Sequence, residues 1–160
     1  MFTGGCSLQE LHYLLWLIAR ELRTFINREI ILGENTTVCR ADIMRYEIVY
    51  KYGGVYSDID SLSVKPLGQI FRHSFVSITS DKPPYYIQNC IFGFPRGSNF
   101  LFNVLASVKI HQKQIVVLGV SGIPYKYGPI FFTSVFVSGL IRGVHVAINI
   151  YQVNVHIYKI

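Results

Sequence analysis

Asp58 and Asp60, separated by one residue, are the pair in this sequence whose types and spacing are best suited to chemistry. In a β-strand alternate side chains share a face, so both carboxylates would point to one side together with Tyr56. Carboxylates held this close repel each other unless a cation or hydrogen-bond donors compensate them. Oxygen ligands suit Mg²⁺ or Mn²⁺, which often completes its shell with phosphate oxygens and water. The pair indicates a divalent metal site, while the spacing alone also fits a solvated turn.

A second polar pair, Asp42 and Arg45, lies upstream of the two aspartates. Residues three positions apart share one face of a helix. The pair would present a carboxylate acceptor and the rigid donor fork of a guanidinium to a polar ligand. A plain helix salt bridge is the alternative interpretation.

The elements that would carry these residues are predicted from periodicity. Apolar residues recur at helical spacing from Asp42 to Tyr52, and Gly53 and Gly54 are typical of a helix end. The segment Val55–Asp60 alternates as expected for a short strand. The predicted order is therefore helix, glycine turn and strand.

The rest of the chain predicts alternating helices and strands, which indicates an α/β sheet. We expect helices at Leu11–Leu22 and Asn99–Ile110, a turn at Gly33–Thr37, strands at Phe75–Thr79, Ile91–Phe94 and Ile115–Leu118, and a tail of β-rich composition at Val144–Ile160. Ser7 is a candidate cap for the first helix.

Composition limits the classes of function that are possible. A chain of 160 residues with 51% apolar residues fits one globular domain and excludes a disordered protein. The formal charge of +6 favours an anionic partner such as a nucleotide diphosphate. No run of Lys and Arg is long enough to concentrate this charge, so no nucleic acid partner is predicted.

Cysteines, histidines and apolar tracts predict no further kind of site. The three cysteines form no C-x-x-C pair, and the histidines lack metal-ligand spacing, so neither a zinc site nor a disulfide framework is predicted. The longest apolar tract, Pro129–Ile141, is shorter than the roughly 18 residues that a spanning helix needs. No membrane span is therefore predicted.

Three ordered runs in this region closely resemble the DXD sugar-binding region of family 32 glycosyltransferases. They are Ala41-Asp42-Ile43-Met44-Arg45-Tyr46, Tyr50-Lys51-Tyr52-Gly53-Gly54-Val55-Tyr56 and Asp58-Ile59-Asp60. The family includes mannosyltransferases, and the motif is shared with relatives of the α-1,4-galactosyltransferases. The core motif covers residues 41–60, and weaker similarity extends over about residues 12–133.

The resemblance implies a single catalytic domain, residues 1–160, with a GT-A type, Rossmann-like nucleotide-sugar-binding fold. Ligands of such sheets bind at strand ends. It also implies a strand and helix around residues 13–26, in place of the helix that periodicity predicts there. The family's opening strand is not recognisable before Leu8, nor its closing segment after Thr133. We therefore expect a fold that is incomplete at the ends.

The resemblance also implies roles for individual residues. Asp60 would coordinate Mn²⁺ or Mg²⁺ directly, and Asp58 would bind either the ribose and sugar of the donor or the same metal through a water molecule. Asp42 and Arg45 would hold hydroxyl groups of the transferred sugar, and Tyr56 would add a hydrogen bond.

Asn89 is a further candidate for substrate binding. It occurs where the family pattern leads one to expect it, ahead of Phe92-Gly93-Phe94-Pro95.

The function implied is metal-dependent transfer of a hexose, with retention of configuration, from a UDP- or GDP-sugar to a glycan, glycolipid or other acceptor. Two alternatives stay open: a catalytically degenerate protein that binds a sugar nucleotide or a partner, and a phosphatase of the haloacid dehalogenase type, which also uses D-x-D. The expected location is the Golgi lumen if the chain is eukaryotic and its N-terminal anchor is missing, and the cytoplasm otherwise.

Overall fold

The computed structural model of the protein describes residues 20–59, 74–79, 86–118, 122–141 and 149–152. In chain order the helices and strands are α1 (Arg28–Gly33), α2 (Thr37–Tyr52), β1 (Gly54–Ser57), β2 (Phe75–Thr79), β3 (Tyr86–Phe94), α3 (Asn99–Leu118), α4 (Ile123–Lys126), α5 (Pro129–Ile141) and β4 (Asn149–Gln152). Asp60 and most of the helix predicted at Leu11–Leu22 lie outside the described residues.

The strands form a sheet in the order β1-β3-β2-β4. β3 pairs antiparallel with both β1 and β2, and β2 pairs parallel with β4. The prediction for β2 is confirmed, and β3 begins earlier than predicted, at Tyr86. β4 lies within the tail whose composition is β-rich.

The strand predicted at Ile115–Leu118 is wrong, because α3 continues through these residues. The prediction failed because periodicity cannot distinguish a short apolar run in a strand from one in a helix. α2 likewise begins at Thr37, ahead of the predicted start at Asp42, and ends at Tyr52 as predicted.

Gly53 connects α2 to β1 in a conformation that other residues rarely adopt. Its φ is 73° and its N–H donates to the carbonyl of Val49 at 2.8 Å. A Cβ at this position would lie 2.7 Å from the backbone nitrogen of Arg96, in the turn after β3. The glycine thus allows the end of α2 to approach the end of β3 closely.

β1 is shorter than the predicted strand Val55–Asp60. Its ladder with β3 runs from the pair Gly54 and Phe94 to the pair Ser57 and Ile91. Asp58 adds one more hydrogen bond, from its N–H to the carbonyl of Cys90 at 2.8 Å. Ile59 then lies in a turn and is fully exposed, so Asp58 follows the strand rather than lying inside it.

A cluster of buried aromatic and aliphatic side chains packs α2, α3 and α5 against β3. Tyr46 of α2 stacks on Phe132 of α5 with ring centroids 5.2 Å apart, and Phe92 of β3 lies 5.5 Å from Phe132. The core therefore fixes α2 against β3, the two elements that carry most of the predicted site.

Glu47 ties α1 to α2. Its buried carboxylate accepts hydrogen bonds from the N–H of Asn27 at 2.7 Å and the N–H of Ile26 at 3.0 Å. Burial raises the pKa of Glu47, and the hydrogen bonds from Asn27 and Ile26 oppose this increase. Asn27 is the N-cap of α1, so the carboxylate satisfies one of the N–H donors that a helix start leaves without a partner.

Within the described parts of the chain, no helix has both the length and the apolarity needed to cross a bilayer.

Candidate functional site

Arg45 is the centre of a polar network formed by α2, β3 and the end of β1. Its Nη2 lies 3.1 Å from Oδ1 of Asp42, and its Nη1 lies 3.2 Å from Oδ1 of Asp58. Nη1 also donates to the backbone carbonyl of Asn89 at 2.8 Å. One guanidinium therefore joins two carboxylates from different elements and anchors both to β3.

The ring of Tyr56 lies beneath this guanidinium, with Cζ of Arg45 4.6 Å from the ring centroid. This is within the distance of a cation–π interaction. The Tyr56 hydroxyl donates to Oδ1 of Asp58 at 2.6 Å. Burial and the hydrogen bond to Asp58 raise the pKa of Tyr56 to about 12, so at neutral pH the phenol remains a donor.

Asp42 is the buried carboxylate of the network, with 3% of its surface exposed. Its Oδ1 accepts from Nδ2 of Asn89 at 2.8 Å as well as facing Arg45. Burial raises the pKa of Asp42, and the charge of Arg45 and the Asn89 hydrogen bond act in the opposite direction. Perturbed acids of this kind are concentrated at functional sites.

Tyr46 extends the network into the core, and it is the residue that sequence reasoning missed. Its hydroxyl accepts from Nδ2 of Asn89 at 3.0 Å and donates to the backbone carbonyl of Tyr127 at 2.9 Å. The signal was available in part, because Tyr46 is one helical turn after Asp42 and shares its face.

Thr133 of α5 fixes β3 near the site. Its hydroxyl accepts from the N–H of Ile87 at 2.7 Å and donates to the carbonyl of Pro129 at 2.8 Å. Ile87 lies on β3 shortly before Asn89.

Asp58 is the acid of this network that solvent reaches most easily, with 31% of its side chain exposed. Its two side-chain contacts with described residues, to Tyr56 and to Arg45, are both made by Oδ1. Oδ2 is thus left for a ligand, and an exposed carboxylate oxygen suits Mg²⁺ or Mn²⁺. Among the described residues, there is no group of three or more His, Cys, Asp or Glu side chains that could hold a metal ion. A single exposed carboxylate of this kind fits a metal that has few protein ligands and completes its shell with phosphate oxygens and water.

The five predicted site residues that the structure describes lie in one connected network. They are Asp42, Arg45, Tyr56, Asp58 and Asn89. Asp60, the predicted direct metal ligand, is outside the described residues, and the ligand-binding roles of all six remain predictions.

Residues 27–77 match the family described as "Glycosyltransferase sugar-binding region containing DXD motif". The matched span contains α2 and β1 and four of the five predicted site residues that the structure describes, and it ends before the fifth, Asn89.

Two curated proteins are similar to this chain over part of their length. Inositol phosphoceramide mannosyltransferase 3 of Schizosaccharomyces pombe is 32% identical over 103 residues, which cover 61% of this chain and 26% of that protein. Alpha-1,4-N-acetylglucosaminyltransferase of Homo sapiens is 29% identical over 76 residues, covering 48% of this chain and 21% of that protein. The similarity thus spans about a quarter of the length of these relatives.

Among solved structures, the chain is similar to the PaToxG Glycosyltransferase, with a TM-score of 0.51 at 20% sequence identity. The match covers 73% of this chain and 40% of that one. This likeness concerns the fold, and it confirms the prediction of an α/β glycosyltransferase fold. The family match and the two relatives also confirm the resemblance to DXD-motif glycosyltransferases.

Proposed function

We propose that this chain forms the donor-binding part of a metal-dependent glycosyltransferase, which moves a hexose from a UDP- or GDP-sugar to a glycan, glycolipid or other acceptor. One observation carries the proposal: the guanidinium of Arg45 joins Asp42 of α2 to Asp58 at the end of β1, within the span that matches a sugar-binding region. A pair of carboxylates and a guanidinium held together supply acceptors and donors for the hydroxyl groups of a sugar.

The residues divide into two groups by burial. Asp42 and Arg45 are buried and rigidly paired, which suits the discrimination of sugar hydroxyls. Asp58 is partly exposed and has Oδ2 available, which suits the metal or the ribose of the donor. In the proposed site Asp60 is the direct metal ligand.

Transfer leaves a nucleoside diphosphate, and the bound metal would stabilise the negative charge that develops on this leaving group. The described residues of this chain would instead position the carboxylates that bind the donor and the metal. Tyr56 holds Asp58 by a hydrogen bond, and Arg45 keeps both carboxylates oriented while it offsets part of their repulsion. We further propose that the reaction retains the configuration at the anomeric carbon, as the resemblance to family 32 implies.

A second candidate function is binding of a sugar nucleotide without transfer. It is favoured by the network itself, in which Arg45 holds the carboxylates of Asp42 and Asp58 in an arrangement suited to binding a polar ligand. A site on one fold can bind a ligand and lack the rest of the catalytic machinery.

The test is a panel of UDP- and GDP-sugars, with and without Mn²⁺, assayed for donor hydrolysis by product analysis and for binding by calorimetry. We expect Mn²⁺-dependent hydrolysis by the wild type and a loss of about 10²-fold in Asp60→Asn and Asp58→Asn. Glu29→Gln is the control for removal of a negative charge, because Glu29 is an exposed acid on α1.

Each other outcome has a definite meaning. Metal-dependent binding without hydrolysis would select the binding protein over the transferase. The absence of both would overturn the proposal, and phosphate release from simple phosphomonoesters would favour the phosphatase.

A further inference from the structure

Tyr46 has no exposed surface, so it cannot contact a ligand, yet its hydroxyl is joined to the candidate site. The ring is held between Phe132, which stacks on it at 5.2 Å, and Phe92 at 5.8 Å. The hydroxyl donates to the carbonyl of Tyr127 and accepts from Nδ2 of Asn89. Its position is therefore fixed by the core and by a hydrogen bond to the backbone, independently of any ligand.

The amide of Asn89 links the hydroxyl of Tyr46 to the carboxylate of Asp42. A side-chain amide nitrogen has two hydrogens, and those of Asn89 go to the hydroxyl of Tyr46 at 3.0 Å and to Oδ1 of Asp42 at 2.8 Å. Two acceptors on the nitrogen define the orientation of the amide. Because Oδ1 of Asp42 also faces Arg45, the orientation of the whole carboxylate is fixed, and its side-chain contacts with described residues leave Oδ2 without a hydrogen bond or ion pair.

We propose that Tyr46 is a positioning residue that acts through Asn89 to aim the carboxylate of Asp42 at the sugar of a nucleotide-sugar donor. This inference rests on the proposed function, in which Asp42 holds hydroxyl groups of that sugar. It has a specific consequence: loss of the Tyr46 hydroxyl impairs recognition of the sugar and spares recognition of the nucleotide diphosphate.

Tyr127 provides a matched control. It is buried as completely as Tyr46, but its own hydroxyl has no hydrogen-bond partner among the residues that the structure describes. The hydrogen bond from Tyr46 to Tyr127 is made to the backbone carbonyl of Tyr127 and not to its hydroxyl. Tyr127→Phe therefore removes a buried hydroxyl and leaves the connection from Tyr46 to Asn89 and Asp42 intact.

The experiment compares Tyr46→Phe and Tyr127→Phe with the wild type by calorimetry at constant Mn²⁺. The probes are UDP with UDP-glucose and UDP-N-acetylglucosamine, and GDP with GDP-mannose. We expect Tyr46→Phe to bind the sugar nucleotide about tenfold more weakly, as loss of one buried hydrogen bond predicts, and to bind the matching diphosphate within about twofold of wild type. Tyr127→Phe should bind both as the wild type does.

A double-mutant cycle with Asn89→Ala tests the route of the effect. If Tyr46 acts through Asn89, Tyr46→Phe weakens sugar-nucleotide binding no further once the amide is gone. If Tyr46→Phe fails to fold, Asn89→Ala alone must show the same selective loss. Equal losses for sugar nucleotide and diphosphate, or additive effects in the cycle, would overturn the inference and leave the proposed function standing. Failure of the wild type to bind any of the probes would overturn both.

Discussion

The buried ion pair between Asp42 and Arg45 is poorly explained as a device for stability. Removing two charges from water costs several kcal/mol per ion, and replacing such a pair by apolar residues is often neutral or stabilising. Asp42 is nonetheless buried, with its pKa raised by that burial. A costly ion pair beside the partly exposed Asp58 fits the ligand-binding role proposed for this network.

At the scale of this residue, we predict how Asp42 affects stability as the pH changes. Burial raises its pKa above the ordinary value of 3.8, so the folded protein binds this proton more tightly than the unfolded chain does. The contribution of Asp42 to stability is therefore largest below 3.8 and falls as the pH rises through the raised pKa. Asp42→Asn can keep both Oδ1 contacts, and it has no carboxyl proton to lose. Its stability relative to wild type should therefore increase as the pH rises through the raised pKa of Asp42, and then level off.

Urea denaturation at a series of pH values measures this difference. Glu29→Gln is the control for loss of an exposed carboxylate. We also expect Asp42→Asn to bind sugar nucleotides more weakly, since replacing a residue that serves binding at a cost in stability commonly gives a more stable protein with a weaker site. A stability difference that does not change with pH would contradict the prediction.

At the scale of elements, the site depends on how α2 is joined to β1. Asp42, Arg45 and Tyr46 lie within little more than one turn of α2, and the glycine turn brings Tyr56 and Asp58 back to Arg45. These residues all lie within one continuous stretch of the chain, from Asp42 to Asp58. For this reason the order helix, glycine turn and strand could be predicted from periodicity and glycine placement.

Gly53→Ala should destabilise the protein by about 2 kcal/mol or more. With φ at 73° and ψ at −174°, Gly53 lies in a region that is nearly restricted to glycine and costs other residues about 1–3 kcal/mol. The added Cβ would also meet the backbone nitrogen of Arg96 at 2.7 Å, and backbone cannot move aside as a flexible side chain can. Chemical denaturation gives the loss directly.

Gly33→Ala is the matched control for this change. Gly33 is the last residue of α1, and a Cβ there would meet no atom within 4 Å. Alanine in a helix is favoured over glycine by roughly 0.5–1 kcal/mol, so this variant should be as stable as wild type or slightly more so. Similar losses in the two variants would show that Gly53 is not specifically required.

At the scale of the whole molecule, sequence reasoning could not establish which distant residues meet. The side chains of Asn89 and Asp42 are 47 positions apart, and Tyr46 and Tyr127 are 81 apart. Periodicity carries no information on such pairs. Asn89 could be included only through the resemblance, and Tyr46 was part of the resembling run without a predicted role.

The aromatic core makes these long-range contacts possible, since it joins elements that are distant in sequence. Phe132 of α5 contacts Tyr46 of α2, Phe92 of β3 and Phe100 of α3 at centroid distances of 5.2 to 5.5 Å. Tyr46 thus belongs both to the core and to the polar network. Because the same residue serves both, we expect the network and the core to unfold together.

Phe132→Ala tests this expectation. Truncation of a buried phenylalanine costs about 3–5 kcal/mol, which corresponds to a decrease in Tm of roughly 10 °C for a chain of this size. The exposed Phe102, with 48% of its surface accessible, gives the control variant Phe102→Ala, for which we expect a much smaller decrease. Calorimetry combined with Tyr fluorescence should show one cooperative transition in both variants. Two separate unfolding transitions in Phe132→Ala would contradict this expectation. The polar network and the aromatic core would then be independent units, and Tyr46 would not couple them.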